Sequence, residues 1–374
     1  MTSFALKTLF ADRRKLSIAL LGVIFSLVLV NVQGGMFIGL IRKSTLLVDN
    51  CAAQIWVGHR GVQNADITAD IPVSWIYRIR GLDGIDQAEP YVVGGGLMEM
   101  SDGNFEGVLV VGVDQSSMLG GPWSFAEGNL YSLRGPDAVS IDQLDEARLG
   151  SPALNDILEI NGIKARIAAK TDGIVGFITT PYVFTTLDRA RNYIRMPEGK
   201  CSYLLATVRP GYDVDSVVRE VRHILPHADA YSAADFSWKT RVYWIVRTGL
   251  GMSFGSSTLL GLTVGLVMVA QSLYAFVLDH LESYAALKAI GATNRQIAGI
   301  LLTQGLVIAI LGCLAGHACS LLMVAMISSP RLTIAMTPGL QLLATAMAVT
   351  ICLVSSLLPL GRIRNVDPVT VLQG

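Results

Sequence analysis

DHLESYAALKAIGATNRQI, residues 279–297, is a charged interval between two long apolar runs. It divides an otherwise continuous greasy stretch into separate membrane crossings, and its reading therefore decides the architecture. A helix crosses a bilayer with about 20 predominantly apolar residues. Four runs qualify, at residues 16–41, 250–278, 297–327 and 340–360. The plan is one span, a long gap and then three spans: an α-helical polytopic membrane protein. A chain that is 52% hydrophobic and only 16% charged agrees with that plan and departs from the composition of ordinary soluble enzymes.

Taken as a helix from about Asp279, the interval places Leu281, Tyr284, Leu287 and Ile290 at every third position, with Asp279 and Glu282 on the other side. Gly291 supplies a left-handed stop. Thr293 with Gln296 three residues on forms a capping box that opens the next span. Exposing Tyr284, Leu287 and Ile290 to water would be unfavourable by roughly 1 kcal/mol or more each. The stripe therefore predicts a partner groove over a short, sharply bounded helix, where a solvated turn is the plainer alternative.

The gap, residues 44–240, has ordinary polar composition and enough length for a domain with its own core. Lys7, Arg13, Arg14 and Lys15 precede the first span, Lys288 and Arg295 lie between the second and third, and Arg362 and Arg364 follow the fourth. By the positive-inside rule these segments are cytoplasmic and the large domain lies outside, although Arg42 and Lys43 run against the rule. The basic start followed by an apolar run also fits a signal peptide. The absence of a small-x-small cleavage site favours an uncleaved anchor.

Within the gap, AQIWVGH, PVSWIYRIRG and IDQAEPYVV read as strand, helix and strand. SYLLATVRPGYDVDSVVREVRHILPHADAY repeats that order around the apolar positions Val214, Val217, Val218, Val221 and Leu225. The expectation is two β-α-β halves at about 50–113 and 201–231, separated by a β-rich insertion at about 114–200. Ser232 caps a helix with Asp235 in its first turn. With no breaker before Gly249, this helix, 232–249, is expected to run straight into the second span, carrying Trp238, Tyr243 and Trp244 at the outer headgroup level.

Small residues recur at four-residue spacing within the spans: Gly35 and Gly39, Gly251 and Gly255, Gly261 and Gly265, Gly312 and Gly316. Such faces let helix backbones approach closely, either inside one chain or between two copies. Catalytic motifs are missing. His223 and His227 are separated by Pro226 and lack the zinc-protease glutamate, and EGKCS lacks the first glycine of a phosphate loop, with Ile194 in its place. His317, one helical turn after Cys313, reads as an interhelical packing group, with a metal or proton site as the alternative, and spans two to four have no charged residue in their interiors. Of five cysteines, Cys51 and Cys201 fall in the external domain, where an oxidising compartment would let them pair; two separate buried thiols are the alternative. A net charge of zero gives no sign of a nucleic-acid partner.

LDHLESYAALKAIGATNRQI, the one-plus-three span plan and the closing NVDPVTVLQG resemble the FtsX/MacB superfamily of ABC-transporter permeases, and among them the DevC type, which lacks a fused ATPase. The resemblance implies an α+β periplasmic domain of MacB type, with porter-like halves and a β-rich insertion, in the inner membrane of a bacterium with both termini (1–15 and 361–374) cytoplasmic. It implies a homodimer and a separate cytoplasmic ABC ATPase that binds the ATP and magnesium, this chain binding no cofactor. The helix within 279–296 is then the one held by the ATPase, so Asp279, Glu282, Tyr284, Ala285, Leu287, Lys288, Ile290 and Gly291 inherit a docking role. The implied activity is efflux by mechanotransmission, with a periplasmic adaptor (membrane fusion protein) and an outer-membrane channel as further partners and a lipid or glycolipid as cargo. The rival, also from this superfamily, is a scaffold that activates a periplasmic cell-wall hydrolase.

Overall fold

The computed structural model describes residues 2–177, 180–329 and 333–361. The chain begins α1 (Thr2–Ala11), α2 (Arg13–Lys43), α3 (Leu46–Asp49), β1 (Ile55–His59), β2 (Ile71–Pro72), α4 (Ile76–Arg80), β3 (Ile85–Glu99) and β4 (Phe105–Val113). It continues β5 (Phe125–Glu127), β6 (Ala138–Asp142), β7 (Ile157–Ile160), β8 (Ile163–Thr171), β9 (Tyr182–Thr186), α5 (Leu187–Ile194), β10 (Lys200–Cys201), β11 (Tyr203–Val208), α6 (Val214–Ile224) and β12 (Ala228–Ser232). It closes with α7 (Ala233–Val246), α8 (Leu250–Asp279), α9 (Leu281–Ala289), α10 (Asn294–Ile327) and α11 (Pro338–Leu357). Two compact units emerge, one from residues 1–39 with 251–374 and one from residues 40–250.

The first unit holds four helices long and apolar enough to cross a membrane: α2, α8, α10 and α11. One shared core joins them, with Leu16, Val23 and Leu27 of α2, Val269 and Phe276 of α8, Ile308 and Cys313 of α10, and Ala344 and Cys352 of α11. The closing NVDPVTVLQG and the segment 362–374 lie outside the described residues.

In the second unit the two expected halves interleave. Strands run β12-β1-β11-β3 across the sheet, so that in order of appearance the four are arranged 4-1-3-2, the pattern of a split β-α-β fold. Alternation on β1 sends Ile55 and Val57 into one core and Trp56 into the other. α6 covers the first face. Asp213 caps it, its carboxylate accepting from the Ser216 amide at 2.9 Å, and Val217, Val218 and Val221 are buried. Valine is a mediocre helix former, so the packing rather than propensity holds this helix. The opposite face is aromatic: Trp56 meets Tyr91 and Tyr203 edge-on at 5.5 and 5.4 Å and tilts against Phe236 at 5.6 Å. Burying rings of this size contributes about 1.5–3 kcal/mol each, with a further increment from the edge-on geometry.

The insertion is not a detached subdomain. β3 is 15 residues long; its first half pairs with β11, and from Val92 onward it pairs with β4. From there the pairing runs β4-β9-β6-β8-β7 and returns to β3 at Met98 and Glu99. A six-stranded ring results, and alternate residues such as Val110, Val139, Ile167 and Val183 belong to the same core as the β1 to α6 face. One strand thus makes the inserted ring and the interleaved sheet a single rigid piece. Sequence patterning did not reveal the closure because it depends on long-range partner choice, which local alternation does not encode.

Three expectations are corrected. Cys51 and Cys201 are both free. Cys201 lies in the α6-side core and Cys51 packs against the aromatic core on the opposite face, so the sheet stands between them. Burial pushes the Cys51 thiol up to about 11 and the Cys201 thiol up to about 12. The helix capped by Ser232 does not run unbroken into the second span: α7 ends at Val246, Gly249 adopts φ +74°, and α8 starts anew at Leu250. Trp244 is buried against Phe177 at a centroid distance of 4.4 Å, so protein rather than headgroups covers its ring, whereas Trp238 is 66% exposed.

Candidate functional site

The interval between α8 and α10 is built by its caps. At the C-terminus of α9 the Ala292 amide donates to the Leu287 carbonyl and the Gly291 amide to the Lys288 carbonyl, both at 2.9 Å. With Gly291 at φ +99° this is a Schellman stop, and a residue with a Cβ there would cost on the order of 1 kcal/mol. Two residues later Thr293 and Gln296 form the capping box in both directions, the Thr293 amide donating to Gln296 Oε1 at 2.8 Å and the Gln296 amide to Thr293 Oγ1 at 3.4 Å. The turn between α9 and α10 is therefore fixed by hydrogen bonds on both sides.

Which side of α9 is open differs from the periodicity argument. Tyr284 is only 2% exposed and Ala285 is buried with it. Tyr284 shares a small core with Ala5 of α1, Val277 of α8, and Ile297, Ile300 and Leu301 of α10, and Leu281 and Leu287 pack partly against it. Three members of the predicted stripe are thus wholly or partly covered by the chain's own helices. The sequence reading missed this because it foresaw no packing of α9 on residues 1–15 or on the start of α10, where Ala5, Ile297, Ile300 and Leu301 share one core with Tyr284. Ile290, just beyond the last turn, is 86% exposed, Ala289 and Gly291 are exposed next to it, and Glu282 is exposed at the other end of α9. Asp279 is exposed but pairs with Lys15 of α2, which also bridges Asp12 at 3.3 Å. Asp12 sits between α1 and α2 and caps the latter, its carboxylate accepting from the Lys15 amide at 3.2 Å. That amide hydrogen bond holds the Asp12 carboxyl below its usual range. The accessible part of the predicted docking set therefore reduces to Ile290 and Gly291 at the C-terminal end of α9 and Glu282 in its first turn, about 12 Å away along the helix. Lys288 is half-buried.

Among the spans, the small-residue faces are occupied within the chain. A Cβ on Gly261 would stand 2.9 Å from Leu29, one on Gly312 2.6 Å from Val23, and one on Gly316 3.2 Å from Leu27; Gly265 abuts Ser26. The Ser26 hydroxyl donates to the Gly261 carbonyl at 2.8 Å. Gly35 and Gly39 face Ile334 and Thr333. These close approaches bind α2 to α8, to α10 and to the segment before α11, so they are not the outward dimer faces that the spacing allowed. Of the Gly251 and Gly255 pair, Gly255 has nothing near it.

A polar thread crosses the same bundle. Asn31 of α2, fully buried, donates to His317 Nδ1 at 3.2 Å and to Ser320 Oγ at 3.1 Å on α10. His317 Nε2 meets Thr345 Oγ1 of α11 at 2.8 Å, and that hydroxyl in turn donates to the Gln341 carbonyl at 2.8 Å. The network assigns a neutral imidazole protonated on Nε2. His317 thus joins α2, α10 and α11, the packing role expected of it, with Asn31 as the partner that the sequence reading overlooked.

In the external unit, the segment that follows α2 is clasped to α7. Arg241 Nη2 pairs with Asp49 Oδ2 at 2.7 Å and donates to Thr45 Oγ1 at 3.2 Å. The Thr45 hydroxyl donates to Asp49 Oδ2 at 2.6 Å, and the Ser237 hydroxyl donates to Asp49 Oδ1. The two stretches of chain that flank the external unit are therefore tied to each other by side chains at its start and end.

A family model of the MacB-like periplasmic core domain matches residues 16–224, over half of the chain, and one of the FtsX-like permease C-terminal matches residues 255–368. Two solved structures are similar to the external part. The periplasmic region of MacB from Actinobacillus actinomycetemcomitans is 8% identical with a TM-score of 0.40, over 51% of this chain and 96% of that one. The extracellular domain of the noncanonic ABC-type transporter YknZ from Gram-positive bacteria is 11% identical with a TM-score of 0.36, over 48% of this chain and 99% of that one. No curated protein matches the chain.

Proposed function

The chain belongs to the family of permeases with a MacB-like periplasmic core domain and an FtsX-like C-terminal part, and from that premise we propose that it works as a lever for a separate ATPase. It is an ABC-type permease with an external domain. In the proposed mechanism a cytoplasmic ABC ATPase, which alone binds ATP and magnesium, grips the end of α9. Closure of the ATPase dimer shifts α9, and with it α8 and α10.

One observation supports this reading above the rest: α9 is bounded by a Schellman stop and a capping box and locked through Tyr284 to α1, α8 and α10. A handle so fixed transmits displacement, where a flexible connector would absorb it. The Asp49–Arg241 clasp would keep both flanks of the external unit moving together. No span between Leu250 and Leu357 carries an Asp, Glu, Lys or Arg at midplane depth, which suits mechanical coupling better than an ion-driven carrier.

The chain itself is read as non-catalytic, a homodimer in the inner membrane with cytoplasmic termini, acting with a periplasmic adaptor to expel a lipid or lipid-like substrate. Affinity purification of the tagged full chain from membranes tests this. An ABC ATPase and a membrane-anchored adaptor should co-elute. Recovery of a peptidoglycan hydrolase in the adaptor's place would replace export by signalling, and recovery of no ATPase would end the lever reading.

A further inference from the structure

The inward edge of α1 is accounted for: Ala5 and Leu9 are buried, and the Gln304 amide donates to Thr8 Oγ1 at 3.0 Å. Its outward edge is not. Leu6 and Phe10, one turn apart, are 38% and 49% exposed. Lys7 stands exposed between them in sequence, and Arg13 and Arg14 are exposed immediately after the helix. None of these three cations has an ion pair among the described residues, in contrast to Lys15, which has two carboxylate partners. A short helix thus offers two large apolar side chains flanked by three uncompensated positive charges.

We propose that this edge of α1 binds the headgroups of anionic phospholipids in the leaflet nearest α9. Charge complementarity is one argument, since basic residues with adjacent apolar anchors suit an anionic interface. Continuity with the spanning surface is the other. Only Asp12 separates α1 from α2, and on α2 the exposed side chains Ile18, Leu21 and Phe25 follow Arg14 directly. With a rise of 1.5 Å per residue, Arg14 lies about 10 Å along the helix from Leu21. That spacing sets the guanidinium at headgroup depth when Leu21 is in the hydrocarbon. An acidic protein surface would match the charge but not this continuity. Because the other edge of α1 packs on Tyr284 of α9, lipid bound here would brace the handle from the membrane side. The lipid contact itself does not depend on the ATPase partnership.

The test uses the full chain carrying Phe10→Trp in lipid nanodiscs. All five native tryptophans lie between residues 56 and 244, and the parent chain supplies their background. Acyl-brominated phosphatidylglycerol and acyl-brominated phosphatidylcholine are compared as minor components in unbrominated phosphatidylcholine. Quenching of the introduced indole should be several-fold stronger with the anionic lipid at equal bromine content. Each of Lys7→Gln, Arg13→Gln and Arg14→Gln should lower that preference by up to about fivefold, and 0.5 M salt should weaken it. Charge-retaining Lys7→Arg and Arg13→Lys should preserve it, which separates charge from folding. Equal quenching by the two lipids would overturn the headgroup choice. No quenching by either would place the edge against water or protein and overturn the proposal altogether.

Discussion

Replacing Ile290 by glutamate isolates docking from folding. The side chain is 86% exposed and lies one residue past α9, so its loss should change the stability of the permease by no more than about 0.5 kcal/mol. If a partner groove covers it, burial of an isoleucine contributes about 1.5–3 kcal/mol. Ile290→Ala should then weaken ATPase binding by roughly tenfold to a hundredfold, and Ile290→Glu by more, because an unpaired carboxylate would be buried in the groove. Tyr284→Ala is the contrasting change: it empties a fully buried site among Ala5, Ile297 and Leu301 and should destabilise the permease by about 3–5 kcal/mol. Leu287→Glu is less informative, since Leu287 packs partly on that same core and the substitution would mix both effects. The assay is titration of purified ATPase onto permease nanodiscs, with ATP hydrolysis followed in parallel and thermal unfolding measured on the permease alone. Native ATPase affinity and stimulation for Ile290→Glu would refute the argument that the end of α9 is the gripped surface.

Two further outcomes follow from the packing and the electrostatics. Gly312→Leu should lower the thermal stability of the detergent-solubilised chain by about 1–3 kcal/mol through overpacking against Val23, while Gly255→Leu, at a position whose Cβ would have no described atom within 4 Å, should be neutral; equal effects would mean that Gly255 is covered by another molecule. In the external unit, burial raises the Asp66 carboxyl to about 6, against the opposing effect of a hydrogen bond donated by Tyr182. The folded form then binds a proton that the unfolded form has released, so stability falls as pH rises from about 4 through 6. Asp66→Asn should flatten that stretch of the pH profile in denaturant titrations, and an unchanged slope would assign it to other groups.

What the sequence could show depended on the range of the interactions involved. The caps at Gly291 and at Thr293 with Gln296 were legible because each is satisfied within a few residues, and the spans because hydropathy needs no partner. Strands β1, β11 and β12 and the first half of β3 were legible, but β4, β6 and β7 were not, nor was the return of β7 to β3, since the Met98 to Ile160 pairing joins residues far apart in the chain. The docking face shows the same limit more sharply. Periodicity correctly places Tyr284 and Leu287 on an apolar side of α9, and exposure of that side was inferred only because no covering element had been identified. α10 supplies most of that cover through Ile297, Ile300 and Leu301, and α1 adds Ala5. That packing reverses the inference for Tyr284, with Ala285 buried beside it, whereas Ile290 is exposed. A stripe of apolar residues beside a membrane therefore predicts burial but does not name what buries it. Here the chain covers the part near α10 itself and leaves exposed the single large side chain at the tip, Ile290.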